Sequence, residues 1–381
     1  MNTVVLHSIH IWLSQTNTWL YNLVHFLPED VESHIACEQI LNLDQFLIPN
    51  IYRLANTSIW SILRRLSFSE RRLSFLTRIA KKNKVNILHS HFANIACRNI
   101  EAAARAGLRH VVSFYGVDVN YMPTQDKDLR ERYKILFQHV DRVLCEGPNM
   151  ARSIARLGCP EEKVRVHHLG VSVDEIPFKP RRWKRGKPLR ILIAASFREK
   201  KGIPYAIEAL ARLSNKIPLE ITLIGDAHPE QRSQEEKRKI LQTIERLGLQ
   251  SKVRKLGYQP YQVLLEEAYK HHIFLSPSVT AEDGDTEGGA PVSIIEMMAS
   301  GMPVISTFHC DIPEIIHHGV SGFLAAERDV EGLVTHIEWL MEHPDDWENM
   351  LDAGRKHVEA EYHARKQGEH LAQIYREIMC R

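Results

Sequence analysis

The chain has 381 residues, of which 44% are hydrophobic and 25% charged, and its formal net charge is +2. This length is sufficient for about two domains of typical size. The chain is nearly neutral and its basic residues form no nucleic-acid recognition motif, so we do not expect nucleic acid as a partner.

The chain also lacks the common sequence signals for export and for membrane insertion. The N-terminal residues MNTVVLHSIHIWL have no basic region followed by a small-residue cleavage site. No apolar run reaches the roughly 18 residues of a transmembrane helix. The six cysteines are scattered, which favours buried free thiols over a zinc site or a disulfide framework. We therefore expect a cytosolic globular protein.

Short β-branched segments alternate with helical patterns, which is typical of βαβ units that form parallel sheets. The predicted strands are Val4–Ile11, Val85–His89, His110–Phe114, Arg142–Cys145, Val164–His168, Leu189–Ala194, Leu219–Ile224, Val253–Leu256, Ile273–Leu275 and Pro303–Ser306. The predicted helices are Asn94–Ala106, Tyr205–Leu213, Glu235–Leu247, Tyr261–Tyr269 and His363–Met379.

Proline and charge replace the periodic apolar residues around Pro177–Pro188, which indicates a domain boundary. We predict an α/β protein with two doubly wound, Rossmann-like domains that face a central cleft. The predicted organisation is a first domain over residues 1–176, a linker over 177–188, a second domain over 189–362 and a terminal helix over 363–381. Ligands of such sheets bind at the carboxyl ends of the strands.

Basic residues dominate the segment Arg53–Lys84, where Glu70 is the single acidic residue among them. Apolar side chains alternate with these charges, as in a basic amphipathic helix that rests on an anionic membrane surface. A solvated helix face is an equally good interpretation. The segment therefore predicts a peripheral membrane contact only as one of two alternatives.

Histidines occur at alternate positions near the end of one predicted strand. His89 and His91 fall on one side of that strand, as metal ligands can. No third ligand is apparent in the sequence. We therefore interpret both as cleft-lining or structural residues and predict no metal.

Charged and glycine-containing turns follow the strands of the second half. Arg198 and Lys201 follow Leu189–Ala194 and could neutralise a diphosphate, although a solvated charged loop would look the same. Gly225 begins a tight turn after the next strand. Asp283 and Asp285 have the spacing of a metal-binding D-x-D motif, but this spacing is also frequent in solvated turns.

The most informative segment is EGGAPVSIIEMMASGMPV at Glu287–Val304. Gly288 and Gly289 permit close approach of a ligand to the backbone, and Pro291 suits the first position of a helix. The free amides of that helix start form an anion site, and Glu296 lies about one turn further. An ordinary loop, helix and stop is the alternative. The amides would bind a phosphate and the acidic residues would bind hydroxyls, so the segment predicts a ligand with both groups, such as a nucleotide sugar.

These residues resemble the retaining glycosyltransferases of family 4, which have the GT-B fold. The resemblance rests on EGGAPVSIIEMMASGMPVI, on F-R-E-K-K-G at Phe197–Gly202, on L-I-G-D at Leu223–Asp226 and on G-V-S-G-F-L at Gly319–Leu324. In the first half, S-Q-T-N-T-W at Ser14–Trp19, H-S-H-F at His89–Phe92 and S-F-Y-G-V-D at Ser113–Asp118 are similar to the subgroup that builds surface polysaccharides such as colanic acid.

The resemblance implies that the second domain binds a nucleotide diphosphate sugar and that the first binds the acceptor. Lys201, with Arg198, would contact the diphosphate, Glu296 would bind ribose hydroxyls, and Glu287 would hold the transferred sugar near its anomeric carbon. The remaining implied donor-side residues are Ser196, Gly225, Gly288, Gly289, Ala290 and Pro291. The implied residues on the sugar and acceptor side are Thr16, His91, Tyr115 and Asp118. In similar proteins the last helix packs back on the first domain.

The sequence departs from the family pattern at several positions. Glu287 and Glu296 are separated by eight residues rather than the seven of the family's E-x7-E motif. Ala195-Ser196 replaces the usual G-R, and Tyr115 replaces a common histidine, with Asp118 retained. Ser14–Trp19 replaces the glycine-rich turn after the first strand.

The resemblance implies a metal-independent hexosyltransferase that retains the anomeric configuration and needs no cofactor. The donor would be a nucleotide sugar, and the acceptor a hydroxyl of a glycan or a lipid-linked glycan. Two alternatives remain open: a nucleotide-sugar epimerase of the same fold, and a catalytically silent sugar-binding relative. Product analysis with a panel of nucleotide sugars would separate the three.

Overall fold

The computed structural model describes residues 3–14, 17–54 and 67–380. The chain forms two compact units. The first unit contains the residues up to Gly170 together with Ala364 and the residues after it, and the second unit is Val171–His363. No helix within the described ranges is both long and apolar enough to span a membrane.

A parallel sheet forms the centre of the first unit. Its described strands are β1 (Thr3–Ser8), β2 (Ile11–Trp12), β3 (Val31–Cys37), β4 (Gln39–Ile40), β5 (Ile51–Arg53), β6 (Ile87–His91), β7 (Arg109–Ser113), β8 (Arg142–Cys145) and β9 (Val164–Val166). The strand order is β5-β3-β1-β6-β7-β8-β9, and β2 pairs separately with β4. The chain reverses its direction across the sheet between β1 and β6, which is the switch point where such sheets bind ligands.

Helices pack against this sheet, and its inner strands β1 and β6 are buried along their whole length. The described α-helices of the first unit are Thr18–His25, Phe68–Lys82, Ala93–Ala106, Met122–Gln125, Lys127–His139, Pro148–Arg156 and Ala364–Met379. The last of these buries Leu371, Tyr375 and Ile378. Its Gly368 approaches the chain closely, since a Cβ atom there would lie 2.0 Å from the carbonyl oxygen of Phe26.

A six-stranded parallel sheet forms the centre of the described second unit. Its strands are β10 (Leu189–Ala194), β11 (Leu219–Ile224), β12 (Val253–Gly257), β13 (Ile273–Leu275), β14 (Val304–Thr307) and β15 (Phe323–Ala325). The order β12-β11-β10-β13-β14-β15 places the switch point between β10 and β13. The described α-helices are Ile203–Leu213, Gln231–Arg246, Tyr261–Ala268, Val292–Ala299, Ile312–Ile315, Val330–Glu342 and Trp347–Glu361. The prediction of doubly wound α/β domains is confirmed.

The proline-rich segment that the sequence predicts as a linker packs within the second unit. The amides of Lys179 and Arg181 donate to the carbonyl oxygens of Ser300 and Gly301, at 3.1 and 2.9 Å. Trp183 is 5% exposed and belongs to the core beside β10. The second unit therefore begins before the predicted linker, at Val171. The charged residues of the segment pack within this unit because they have backbone partners and a core contact there.

The basic segment Arg53–Lys84 lies partly outside the described residues, since 55–66 are not described. Its helix Phe68–Lys82 begins with a capping box between Ser67 and Glu70. Phe75, Leu76 and Ile79 are buried in the core of the first unit. Arg72 is also buried, with hydrogen bonds to Ser8 and Asn99 and an ion pair with Glu38. The apolar face of this helix is thus occupied by the protein itself.

Candidate functional site

Two loops lie at the carboxyl ends of β10 and β13, on either side of the switch point of the second sheet. The first runs from Ala195 to Gly202, and the second leads from Ser276 to the helix Val292–Ala299. A Cβ atom at Gly202 would lie 1.9 Å from the carbonyl oxygen of Pro277. Glycine therefore lets the two loops touch, which brings their side chains into one site.

Lys201 and Glu287 form an ion pair at the centre of this site. Lys201 Nζ lies 2.7 Å from Glu287 Oε2, and the hydroxyl of Ser278 donates to Glu287 Oε1 at 2.8 Å. The side chains of Lys201 and Glu287 are 16% and 6% exposed. Burial alone would raise the pKa of Glu287, but the charges of Lys201 and Lys200 outweigh burial and lower it to about 2. Glu287 is therefore ionised at neutral pH.

A histidine fixes the backbone of Glu287. The amide of Glu287 donates to His309 Nε2 at 3.1 Å. Since Nε2 accepts, the proton lies on Nδ1, which donates to Glu327 Oε1 at 2.6 Å. Sequence patterns did not identify His309 or Glu327 as site residues, because they lie on loops that only the fold brings to Glu287. Ser278 lies on the same loop as Glu287, but the sequence indicated it only as part of a turn after β13.

The glycine turn after Glu287 leads directly into the helix Val292–Ala299. Gly288 has φ +77°, which favours glycine, and its amide donates to the Thr286 hydroxyl at 3.1 Å. Pro291 precedes the first helical residue instead of occupying that position, which corrects the prediction. Proline has no side-chain group that could cap a helix, so the first-turn amides are suited to an external acceptor.

Glu296 lies on the buried side of this helix and is 4% exposed. Burial raises its pKa to about 8, and a hydrogen bond with the side chain of Tyr261 lowers it in part. The carboxyl group is therefore largely protonated at pH 7 in the ligand-free protein. Tyr261, on the helix Tyr261–Ala268, was not identified from the sequence as a site residue.

The other two basic residues of the first loop that the sequence places near Lys201, Arg198 and Lys200, form ion pairs with acidic residues other than Glu287. Arg198 Nη2 lies 3.2 Å from Glu230 Oε1, while its Nη1 lies 3.9 Å from Asp285 Oδ2. Lys200 Nζ lies 3.0 Å from Asp285 Oδ1, and Arg232 Nη1 lies 3.1 Å from Asp285 Oδ2. The structure thus directs Arg198 towards Glu230 and the acidic loop rather than towards Glu287.

The D-x-D triplet is not the solvated turn that the sequence favours. Asp285 is 2% exposed, and Lys200 and Arg232 bind it. Asp283 also pairs with Arg232, at 3.2 Å. The triplet therefore acts as a partner of cations in the described structure.

Ser196 and Gly225 lie beside each other at the ends of β10 and β11. Gly225 has φ +122°, and a Cβ atom there would lie 1.9 Å from the carbonyl oxygen of Ala195 and 3.5 Å from the amide nitrogen of Ser196. The Gly225 amide donates to the carbonyl oxygen of Gly257 at 2.8 Å. Glycine is therefore required here for close packing of the backbone.

The predicted acceptor-side residues belong to the first unit. Asp118 is fully buried, and its carboxylate accepts from the amides of Ala93 and Tyr115 at 2.8 and 2.9 Å. Its observed contacts fix the Tyr115 loop to the start of the helix Ala93–Ala106. The Tyr115 hydroxyl lies 2.7 Å from His91 Nδ1, and its ring lies 4.3 Å from that of Trp19. Thr16 lies outside the described residues.

His91 belongs to a cluster of three buried histidines. His7, on β1, joins His89 and His91, on β6, and each offers a nitrogen within 4.8 Å of the others. β1 and β6 pair with His7 opposite His89. No third histidine was apparent from the sequence, because only the strand register places His7 beside His89 and His91.

Two family models match consecutive parts of the chain. The model described as Glycosyltransferase Family 4 matches residues 16–175, and that described as Glycosyl transferases group 1 matches residues 175–357. The amylovoran biosynthesis glycosyltransferase AmsK of Erwinia amylovora is 29% identical over 93% of this chain and 86% of that protein. The putative colanic acid biosynthesis glycosyltransferase WcaL of Escherichia coli K12 is 32% identical over 68% of this chain and 62% of that protein.

Solved structures share the fold over nearly the whole chain. A glycosyltransferase from Rickettsia africae has a TM-score of 0.77 at 17% identity and covers 99% of both chains. HepE from Anabaena in complex with UDP has a TM-score of 0.78 at 15% identity, with 98% of this chain and 100% of that chain covered. The two family models together span residues 16–357, and the chain belongs to the glycosyltransferases of family 4 with the two-domain GT-B fold.

Proposed function

We propose that the chain moves a hexosyl group from a nucleotide diphosphate sugar to a hydroxyl of a glycan or lipid-linked acceptor in surface polysaccharide biosynthesis. We further propose that the anomeric configuration is retained and that the transfer step needs neither metal nor cofactor. The names of AmsK and WcaL support the class of product, and the complexes of HepE with UDP and UDP-glucose support the class of donor.

The observation that carries this proposal is the Lys201–Glu287 ion pair, held by Ser278 at the switch point of the second sheet. It directly precedes the glycine turn and the helix that carries Glu296. The ammonium group of the first loop thus lies at Glu287, and the start of the helix Val292–Ala299 and the carboxyl group of Glu296 follow Glu287 along the chain. Lys201 and the helix start would bind the diphosphate, Glu287 the sugar on one side of it, and Glu296 the ribose on the other.

The proposed reaction exchanges two bonds at the anomeric carbon. The bond to the leaving phosphate oxygen breaks, the bond to the acceptor oxygen forms on the same face, and the acceptor proton passes to the leaving phosphate. The diphosphate gains negative charge, which Lys201 and the first-turn amides of the helix Val292–Ala299 would stabilise. Glu287, ionised at neutral pH, would hold hydroxyl groups of the sugar.

Donor binding would alter two interactions of the ligand-free protein. The diphosphate would compete with Glu287 for the ammonium group of Lys201. Two ribose hydroxyls would donate to Glu296, and the ionised carboxylate accepts such bonds on both of its oxygens. Because burial raises the pKa of Glu296 to about 8, donor binding should strengthen as pH rises towards that value.

Detection of nucleotide diphosphate released from a panel of nucleotide sugars tests the proposal. Slow donor hydrolysis supports a transferase, conversion of the sugar supports an epimerase, and binding without turnover supports a silent relative. We expect Lys201→Ala to lower the rate by about 100-fold, the usual effect of removing one group that stabilises the transition state. Lys216→Ala is the matched control, since Lys216 forms an exposed pair with Glu338. Equal rates for the two variants would refute the role of Lys201.

Two product measurements test the finer parts of the proposal. NMR of the anomeric proton of the product distinguishes retention from inversion. For sugar released by hydrolysis, the spectrum is recorded in the first minutes, before the two anomers interconvert. Addition of Mg²⁺ to the reaction should leave the rate unchanged, and a strict requirement for Mg²⁺ would refute metal-independent transfer.

We also propose a peripheral contact with the inner face of the cell membrane through the basic segment Arg53–Lys84. The support is its charge alone, since Phe75, Leu76 and Ile79 are buried in the first unit. Exposed cations such as Arg78 remain available for anionic lipid.

A further inference from the structure

We propose that His7, His89 and His91 form a binding site for one Zn²⁺ ion at the carboxyl ends of β1 and β6. The site is separate from the Lys201–Glu287 pair, which belongs to the second unit. The proposal concerns metal binding by the first unit and does not depend on the proposed sugar transfer.

The distances are those of ligands to one metal ion. Zinc binds imidazole nitrogen at about 2.0–2.1 Å, so two nitrogens at tetrahedral positions lie about 3.3 Å apart. His7 Nδ1 and His91 Nε2 are separated by 3.1 Å. One nitrogen of each histidine lies within 4.8 Å of the others, so a small rotation of the rings completes a three-nitrogen set.

The chemistry of the three side chains also fits zinc. Each histidine is fully buried, and imidazole nitrogen is the commonest metal ligand in proteins. Imidazole nitrogen suits zinc, copper and nickel, whereas Mg²⁺ and Ca²⁺ require oxygen ligands. The fourth position would hold a water molecule, as in other three-histidine zinc sites.

Hydroxyl groups around the cluster would fix the orientation of the ligands. His91 Nδ1 lies 2.7 Å from the Tyr115 hydroxyl. His89 lies 2.6 Å from the Tyr375 hydroxyl through Nδ1 and 2.8 Å from Ser113 Oγ through Nε2. His91 can therefore bind the metal through Nε2 while Nδ1 keeps its contact with an oxygen, which is the usual second contact of a metal-binding histidine. His89 would exchange one of its two hydroxyl contacts for the metal and keep the other.

The protein gains from the metal because the cluster is incomplete without one. Within the described residues, the buried atom His7 Nε2 has no hydrogen-bond partner. Rotation of the His7 ring would present the deprotonated Nε2 to the metal in place of Nδ1, which would give this buried nitrogen a partner. The location at the switch point of the first sheet agrees with the place where such sheets bind ligands.

Metal analysis of the full chain tests the proposal. The protein is purified without a histidine tag from cells grown with added zinc, dialysed, and its metal measured by mass spectrometry. We expect about one zinc per chain, lost in His7→Asn and in His89→Asn. His110→Asn is the matched control, because His110 is equally buried in the same unit but bonds Ser90 outside the cluster.

The zinc affinity of a variant outside the three ligands and the absorption spectrum of bound cobalt complete the test. Tyr115→Phe should weaken zinc binding about 10- to 100-fold, since it removes only the second contact of His91. Wild-type protein loaded with Co²⁺ should show the intense visible absorption of four-coordinate cobalt, and this measurement needs no variant to fold. Absence of bound zinc, equal zinc in wild type and His7→Asn, or only the faint absorption of six-coordinate cobalt would overturn the proposal.

Discussion

Removal of the Lys201 ammonium group should destabilise the second domain by an amount that follows from Glu287. The pKa of Glu287 is lowered from 4.5 to about 2, and each unit corresponds to about 1.4 kcal/mol. The interactions that hold the carboxylate are therefore worth about 3 kcal/mol above pH 4.5. Since Lys200 remains, we expect Lys201→Ala to cost about 2 kcal/mol at pH 7.

The pH dependence of this effect has a definite sign. The folded pKa of Glu287 lies below its unfolded pKa, so its stabilisation is complete above pH 4.5 and is lost as pH falls through about 2. The difference in unfolding free energy between wild type and Lys201→Ala should therefore shrink in acid. Urea titration followed by tryptophan fluorescence measures it, since Trp183 and Trp347 lie in the core of the second unit.

A double-mutant cycle isolates the ion pair from other effects of the substitution. Glu287→Gln should recover most of the lost stability in the Lys201→Ala background, because no buried charge then lacks a partner. Lys216→Ala, whose side chain is 61% exposed in its pair with Glu338, should change stability by less than about 0.5 kcal/mol. A coupling energy near zero between Lys201 and Glu287 would refute the reasoning.

Three further predictions concern other parts of the structure. The folded pKa of Glu296 is raised to about 8, so the unfolding free energy of the wild type should fall as pH rises from 4.5 to 8. Glu296→Gln should abolish this fall in thermal scans, and identical pH profiles for the two proteins would contradict the prediction. Gly225→Ala should lower the unfolding free energy by about 3 kcal/mol or more in urea titration, because its Cβ atom would lie only 1.9 Å from a carbonyl oxygen. Gly248→Ala is the control, since Gly248 has φ +67° but open space around it, and it should lower the unfolding free energy by about 1 kcal/mol. Equal losses for the two variants would refute the steric argument. Changing the exposed Arg78 and Lys81 to Glu should reduce recovery of the protein with anionic liposomes in flotation, and unchanged recovery would exclude this helix as the anchor.

The sequence predicts those parts of the fold that depend on local patterns. Most strands of both sheets begin and end near their predicted positions, because buried parallel strands are short apolar runs between turn residues. β3 was missed, since Glu32, Ser33 and His34 interrupt its apolar pattern. β6 ends at His91 rather than His89, because alternating polar residues hid its last two positions.

The site residues that the sequence predicted are likewise those with a local pattern, whereas residues from distant segments were missed. The loop after β10 and the glycine turn before Val292 were identified from their own residues. His309 and Tyr261 were not, because their contacts with Glu287 and Glu296 join segments 22 and 35 residues apart. Arg198 was assigned to the diphosphate from its charge, and its partner Glu230 could not be inferred without the fold.

The terminal helix has a consequence for the order in which the protein is built. The first domain combines residues up to Gly170 with a helix that begins at Ala364, so the ribosome completes the entire second domain before the first can close its core. Until then, the surface that receives Leu371, Tyr375 and Ile378 is exposed to water. The nascent chain therefore keeps an apolar surface of its first domain uncovered for the whole time in which the second domain is synthesised.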